Sequence, residues 1–162
     1  MLQRDDIAQI IEEYDRMKLR IGMTASHSAL DICDGGIEEG FPTVAYCQEG
    51  RHKTYANYFK TKRSSSGRVL RGMVDKAIVM PSFNDVMDES MQVEMRKRNV
   101  VYIPNRSFTS YSSIEDVENK FKVPLFGSRN MLRMEERTEE QDYYWILDKA
   151  GLPYPEAIEN PE

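Results

Sequence analysis

The sequence contains little cysteine or histidine, with two of each among 162 residues. Cys33 and Cys47 lie far apart and match no metal-ligand spacing. His27 and His52 are too few to build a histidine-rich metal site. We therefore expect buried, reduced thiols and no metal held by this chain.

Long apolar runs and a basic amino terminus are also absent. No apolar stretch reaches the roughly 18 residues that a membrane span needs. Acids occupy positions 5, 6, 12, 13 and 15, where a secretory signal peptide is basic and then apolar. A net charge of −5 argues against general nucleic-acid binding. The composition predicts a globular, cytoplasmic protein that contacts neither membranes nor nucleic acids.

Acidic residues are missing from residues 51–74, which carry seven lysines or arginines. The stretch SSSG within this segment is typical of a solvated, partly mobile loop. A second interpretation is a loop that faces an anion above a phosphate site, and a third is RNA binding.

Strand-like and helix-like segments alternate along the chain. The pattern predicts strands at 18–25, 41–47, 76–80, 99–104 and 123–127, and helices at 4–17, 27–38, 84–98, 113–121 and 128–150. Gly40 is expected to end the second helix, and Gly151 with Pro153 the last. Such alternation predicts an α/β doubly wound domain with a parallel sheet.

Polar side chains follow the first predicted strand, in the stretch TASHS (24–28). Ligands of open parallel sheets bind beyond the carboxyl ends of the strands. The start of the next helix adds free backbone N–H groups and a partial positive charge. Ser26, His27 and Ser28 are therefore a candidate cradle for a phosphate or small polar ligand. In the structural alternative, Ser26 simply caps the helix.

A second polar group follows the fourth predicted strand, in IPNRSF (103–108). Asn105, Arg106 and Ser107 fall at this strand end and could face the TASHS stretch. Arg106 is either a bidentate phosphate clamp or a surface arginine on a loop. The chain contains no G-x-G-x-x-G or Walker motif, and no Ser, His and Asp spacing that indicates a hydrolase.

Five stretches, taken together, resemble one family. They are SHSALDI, GGIEEGFPTVAYCQEGR, VVYIPNRSF, VENKFKVPLFGSRNMLRMEER and LDKAGLPYP, and they occur in the family's order. On these stretches the chain is similar, nearly end to end, to the N-terminal domain of the formate-dependent FAICAR synthetases (5-formaminoimidazole-4-carboxamide ribonucleotide synthetases) of purine biosynthesis.

This resemblance implies a Rossmann-like pre-ATP-grasp domain over residues 1–152. Residues 153–162 are then a linker or the start of an ATP-grasp domain C-terminal to this chain. Enzymes of the family join formate to the amine of AICAR with ATP, through a formyl phosphate, and assemble as homo-oligomers. ATP and Mg²⁺ belong to the complete enzyme, and this chain alone is expected to lack the ATP site and to bind no cofactor.

The resemblance also implies site residues. His27 and Ser107 match AICAR-binding positions and are expected to hold the base and ribose. Because they lie at a helix start beside His27, Ser26 and Ser28 are expected near the phosphate or adjoining polar groups, and Arg51 and Arg106 are expected to add positive charge. No catalytic residue is assigned to this chain.

Two positions depart from the family's PHGSF motif. Asn105 replaces a histidine and so removes a titratable group. Arg106 replaces a glycine and adds bulk and a fixed charge. These departures keep two alternatives open: a non-catalytic paralogue that binds a phosphorylated purine intermediate or assists oligomer assembly, and an α/β module for another phosphorylated ligand.

Overall fold

The computed structural model describes residues 2–129, 132–133 and 141–156. The chain divides into two compact units, Met1–Gly127 and Ser128–Glu162. In chain order, the strands are β1 (Arg20–Thr24), β2 (Thr43–Gln48), β3 (Lys62–Arg63), β4 (Val69–Arg71), β5 (Lys76–Met80) and β6 (Val100–Tyr102). The helices are α1 (Arg4–Glu12), α2 (Ala29–Glu38), α3 (Glu89–Lys97), α4 (Arg106–Tyr111), α5 (Ile114–Lys120) and α6 (Tyr143–Lys149).

Four strands of the larger unit form one parallel sheet, in the order β5-β2-β1-β6. From β1 the chain moves outward to β2 and β5, then crosses back to β6 on the other side. Because parallel crossovers are right-handed, α2 and α3 cover opposite faces of the sheet. The predicted doubly wound α/β fold is confirmed.

The predicted fifth strand, 123–127, is reduced to a single bridge. Tyr102 pairs with Leu125 in parallel. Two backbone hydrogen bonds hold this pairing, from Tyr102 N–H to Pro124 O (2.8 Å) and from Phe126 N–H to Tyr102 O (2.9 Å). Residues 123–126 thus add a single paired residue, Leu125, on the outer side of β6.

A buried apolar cluster fills the space between the sheet and α2. Its members are Met23, Ala25, Ala29, Cys33, Ala45, Cys47, Tyr55, Val74 and Phe83. Both cysteines are buried and unpaired, and burial raises the pKa of each thiol to about 12. The predicted buried, reduced thiols are confirmed, and at neutral pH both are protonated and unreactive.

Aromatic side chains fill the α3 face of the sheet. Tyr102 lies 6.0 Å from Tyr46, 4.9 Å from Phe108 and 5.2 Å from Phe121, measured between ring centroids. Gly22 of β1 lies directly beneath these rings. A Cβ at Gly22 would lie 2.5 Å from Val100 Cγ1 and 3.2 Å from the Tyr46 ring. The absence of a side chain at Gly22 is therefore required for this packing.

Side-chain caps shorten the predicted helices. The predicted helix 4–17 ends at Glu12, and Asp15 then accepts from Met17 N–H (3.0 Å) to start a 3₁₀ turn at Arg16–Lys18. The predicted helix 84–98 divides into a 3₁₀ turn at Phe83–Met87, capped by Ser82, and α3.

The predicted helix 128–150 is wrong as one element, because Ser128, Gln141 and Asp142 are not helical. In the smaller unit, α6 begins where Asp142 accepts from Trp145 N–H (2.9 Å). Residues 130–131 and 134–140 lie outside the described part. Gly40 and Gly151 end α2 and α6 with positive φ, as predicted. In the described ranges no helix has the length and apolarity of a membrane span.

Replacing Gly22 by alanine tests the close packing on the α3 face. We expect Gly22→Ala to lower the free energy of unfolding by about 1–3 kcal/mol, because the added methyl overpacks a buried layer. Gly35→Ala is the control: Gly35 lies on α2 with open space around it, so alanine there raises stability by about 0.5–1 kcal/mol. Urea denaturation measures both, and an unchanged Gly22→Ala midpoint would contradict the packing described.

Candidate functional site

Four loops meet at one edge of the sheet. The parallel strands β1, β2, β5 and β6 end there at Thr24, Gln48, Met80 and Tyr102. This carboxyl edge is where open parallel sheets bind ligands. The segments that follow β1, β2 and β6 carry all six predicted site residues.

The loop after β1 presents three polar side chains. Ser26 N–H donates to Thr24 O (2.8 Å), and Ala29 N–H donates to Ser26 O (3.1 Å). His27, between them, has φ +47°, in the left-handed region that histidine enters more readily than most residues. The backbone turns tightly at this point, and the imidazole is exposed.

Neither serine of this loop caps α2 through its hydroxyl. Ser28 holds the N-cap position without a side-chain cap bond, and the Ser26 contact to Ala29 uses the carbonyl oxygen. The alternative of Ser26 as a hydroxyl cap is therefore wrong. Within the described part of the chain, both hydroxyls and the Leu30 and Asp31 amides lack hydrogen-bond partners, so they are available to a ligand. The Asp31 carboxylate in the first turn of α2 disfavours a fully charged anion there.

Asn105 joins this loop to the one after β6. Its Nδ2 donates to the carbonyl oxygens of Thr24 (2.9 Å) and Ser26 (3.1 Å). Its Oδ1 accepts from Phe108 N–H (3.2 Å) and so caps α4. Two carbonyls only accept and one amide only donates, which fixes the orientation of the carboxamide. The predicted meeting of the two strand ends therefore occurs through a buried side chain.

Ser107 and Arg106 lie in the first turn of α4, a helix that the apolar pattern did not predict. Ser107 is 6% exposed, and in the described residues its hydroxyl has no hydrogen-bond partner. Arg106 is exposed, and its carbonyl accepts from the Thr109 and Ser110 hydroxyls (3.1 and 2.8 Å). The local sequence signal for this helix was Asn105, because asparagine is a favoured N-cap residue.

Arg51 reaches the same edge from the loop after β2. Its N–H donates to Gln48 O (3.1 Å) across a turn in which Gly50 has φ +80°. Its guanidinium carbon lies 5.6 Å from the centre of the Phe83 ring, and Nη1 donates to Tyr111 Oη (3.3 Å). Sequence reasoning missed Phe83 and Tyr111. Phe83 follows a predicted strand end, but Tyr111 belongs to the unpredicted α4.

The basic segment 51–74 begins at this edge but runs away from it. Residues 62–71 form the β3–β4 hairpin. Arg63 pairs with the Asp75 carboxylate (2.8 Å), and the Lys60 ammonium group donates to the Asp75 backbone carbonyl. Asp75 accepts from Thr43 N–H (3.0 Å), where β2 begins. The hairpin is therefore anchored at the amino edge, so the anion-facing interpretation of residues 51–74 does not hold for residues 62–71. Arg51 stays at the carboxyl edge.

A cavity of about 450 Å³ also lies at the amino edge. It is lined by Glu13, Tyr14, Asp15, Val93, Arg96, Lys97 and Asn99. These residues precede β1 and β6 or belong to α3, so the cavity is separated from the candidate site by the length of the sheet.

Tyr102, a buried tyrosine at the carboxyl edge, has a shifted pKa. Burial raises the pKa of Tyr102 well above its usual range, despite the opposing hydrogen bond of 2.6 Å with the Thr24 hydroxyl. This phenol beneath the loop after β1 is therefore neutral at all physiological pH values. The six predicted site residues offer hydroxyls, an imidazole and guanidinium cations, a set that suits binding of a polar, negatively charged ligand.

Comparison with known proteins identifies the family of this chain. A family model described as a protein of unknown function, DUF1246, matches residues 21–158. The chain belongs to this family.

Named relatives extend well beyond the matched segment. The chain is 37% identical over 163 residues to the 5-formaminoimidazole-4-carboxamide-1-(beta)-D-ribofuranosyl 5'-monophosphate synthetase of Methanopyrus kandleri. It is 34% identical over 163 residues to the Methanocaldococcus jannaschii protein of the same name. Each alignment covers the whole of this chain and 41% of the relative. The resemblance to FAICAR synthetases is confirmed, and the chain spans about two fifths of the length of these relatives.

A solved structure agrees with the fold. The chain matches an IMP biosynthesis protein PurP from Thermococcus kodakaraensis with a TM-score of 0.59 and 29% identity. The match covers 86% of this chain and 39% of that one.

Removing the Asn105 carboxamide tests the link between the two loops. We expect Asn105→Ala to lower the free energy of unfolding by about 2–4 kcal/mol, because it loses a helix cap and two hydrogen bonds to carbonyls. Ser113→Ala is the matched control, since Ser113 caps α5 by accepting only from Asp116 N–H (3.1 Å), and costs about 1 kcal/mol. Equal losses in urea denaturation would mean that Asn105 is merely a cap.

Proposed function

We propose that this chain is the nucleotide-binding, N-terminal part of an ATP-dependent ligase of IMP biosynthesis. The complete enzyme joins formate to the amine of AICAR and forms FAICAR. Relatives that carry the synthetase name match the chain over its full length, which supports this proposal. In it, the chain binds and orients AICAR, and the remainder of the enzyme contributes the ATP-grasp domain.

The observation that carries the proposal is the Asn105 link between two loops. It places the β1 loop, with His27, beside the first turn of α4, with Ser107. We assign His27 and Ser107 to the base and ribose of AICAR. Both side chains can donate or accept, as a carboxamide and ribose hydroxyls require.

Charge and hydroxyl groups complete the proposed AICAR site. Ser26 and Ser28 offer hydroxyls without partners in the described part of the chain, and we assign them to the phosphate or adjoining oxygens. Arg51 and Arg106 add positive charge at the same edge. Arginine suits this role because its donors match the geometry of phosphate oxygens.

The proposal gives formate, ATP and Mg²⁺ to the complete enzyme. ATP, when bound, supplies the phosphoryl group that activates formate. Among the described residues, no three His, Cys, Asp or Glu side chains cluster so as to hold a metal ion, so no step of that chemistry is assigned to them. We further propose that residues 153–162 connect to the ATP-grasp domain, and that the enzyme is a cytoplasmic homo-oligomer.

A second candidate is a non-catalytic paralogue that binds a phosphorylated purine intermediate or assists oligomer assembly. Asn105 favours this candidate, because a carboxamide cannot act as a general acid or base near neutral pH and because its hydrogen-bonding groups already bind backbone atoms. The full-length protein therefore has to be assayed for FAICAR formation from AICAR, formate and ATP. Product formation supports the ligase, whereas AICAR binding without turnover supports the paralogue.

Calorimetric titration tests the binding assignment directly. AICAR is compared with AMP, IMP and ribose 5-phosphate. We expect AICAR to bind most tightly, because His27 and Ser107 contact the base and ribose. Equal binding of all four ligands would show a general anion site and would overturn the assignment.

Replacing His27 separates binding from folding. We expect His27→Gly to weaken AICAR binding about tenfold or more, because the imidazole contact is lost. The same change is expected to leave the melting temperature unchanged or higher, because glycine relieves the cost of φ +47°. If instead the cooperative melt disappears, His27 is a packing residue and its place in the site is wrong.

A further inference from the structure

Two aromatic side chains hold Arg51 at the carboxyl edge. The guanidinium lies over the ring of Phe83, at 5.6 Å from the centroid, and donates to Tyr111 Oη at 3.3 Å. Phe83 and Tyr111 contact each other with ring centroids 4.9 Å apart. Phe83 is 1% exposed and Tyr111 44% exposed. The buried Phe83 ring thus supports the guanidinium from below, and the Tyr111 ring faces solvent.

The positive charge of Arg51 has no carboxylate partner among the described residues. Several other cations of the larger unit are neutralised, among them Arg63, which pairs with Asp75, and Arg96, which pairs with Glu89. Arg51 uses one donor of its guanidinium for Tyr111, and four N–H donors remain. A positioned but unneutralised guanidinium is suited to an external anion.

Arg51 lies at the same sheet edge as the loop after β1. Phe83 belongs to the same buried cluster as Ala25 and Ala29, the two residues that flank the Ser26–Ser28 turn. The strands that lead into the two loops are direct neighbours, with Thr24 opposite Tyr46. Arg51 and the Ser26 and Ser28 hydroxyls therefore lie at the same edge of the sheet, on segments that follow neighbouring strands.

We propose that Tyr111 fixes Arg51 on the Phe83 ring so that the guanidinium binds the phosphate group of the nucleotide. This inference rests on the proposed function and adds Tyr111 as a positioning residue. The hydroxyl accepts one N–H and limits the rotamers of Arg51 before the ligand arrives, which lowers the entropic cost of binding. The two terminal nitrogens and Nε can then form paired hydrogen bonds to phosphate oxygens.

The test compares a nucleotide with its nucleoside on the full-length protein. Calorimetry measures AICAR, which carries the phosphate, and AICA riboside, which lacks it. We expect Tyr111→Phe to weaken AICAR binding about three- to tenfold, and Arg51→Ala about ten- to a hundredfold, with riboside binding unchanged. In turnover, Tyr111→Phe should raise KM for AICAR and leave kcat within about twofold.

Controls and a double variant make the test specific. Tyr58→Phe removes a hydroxyl from a 76% exposed tyrosine, and Arg68→Ala removes one positive charge from the β3–β4 turn at the opposite edge. Both should leave AICAR binding unchanged. In the Arg51→Ala background, Tyr111→Phe should add nothing, because a positioning residue acts only through the group it positions.

Several outcomes would overturn the inference. Equal weakening of riboside and AICAR binding by Tyr111→Phe would make Tyr111 part of the base pocket, and no weakening of either would show that Tyr111 does not position Arg51. Additive losses in the double variant would show that Tyr111 acts without Arg51. If the wild type binds ribose 5-phosphate but not AICAR, the proposed function fails, and the Arg51 and Tyr111 variants decide the inference on ribose 5-phosphate. Binding of neither ligand by the wild type refutes both.

Discussion

β1 is hydrogen-bonded to β2 on one side and to β6 on the other, and both pairings are parallel. Every polar group of the candidate site depends on this arrangement, because parallel pairing brings the loops after all three strands to one edge. The central position also buries both faces of β1, and Gly22 is the consequence: only a residue without a side chain leaves room for Val100 and the Tyr46 ring. The packing that stabilises the sheet and the placement of the ligand loops thus have one origin.

The Asn105 carboxamide adds precision that strand pairing alone does not supply. Two backbone carbonyls and one backbone N–H surround it, and a carboxamide offers two donors and an acceptor at once. A neutral imidazole has one donor and one acceptor, so it would leave one of these three groups unsatisfied. The position therefore exchanges proton-transfer capacity for a link that does not depend on pH. This exchange fits the binding role that we propose for the two loops, and it gives a residue that departs from the family motif a structural part in the candidate site.

Sequence patterns predicted the sheet better than the contacts of the site. Residues 76–80 form β5 as predicted, and β1, β2 and α2 lie within two residues of the expected bounds, because alternating apolar runs and glycine stops are local signals. The α4 helix was missed because six residues show no helical period, and only the cap at Asn105 marks its start. The contact of Arg51 with Tyr111 joins residues 60 positions apart. No local pattern encodes such a contact, since it depends on how α4 packs beside the loop after β2.

The distribution of charge separates the two edges of the sheet. At the amino edge, Asp75 holds Arg63, accepts from the first residue of β2 and so ties the basic hairpin to the fold. At the carboxyl edge, Arg51 rests on aromatic rings, which orient a guanidinium without neutralising it. At the same edge, His27 has a backbone in the left-handed region between the buried Ala25 and Ala29, and its side chain is exposed. A residue kept in a costly conformation by well-packed neighbours is typical of a binding site rather than of a structural turn. At the carboxyl edge, a guanidinium without a carboxylate partner in the described residues and a histidine with positive φ occur together, and that edge is where we propose that the nucleotide binds.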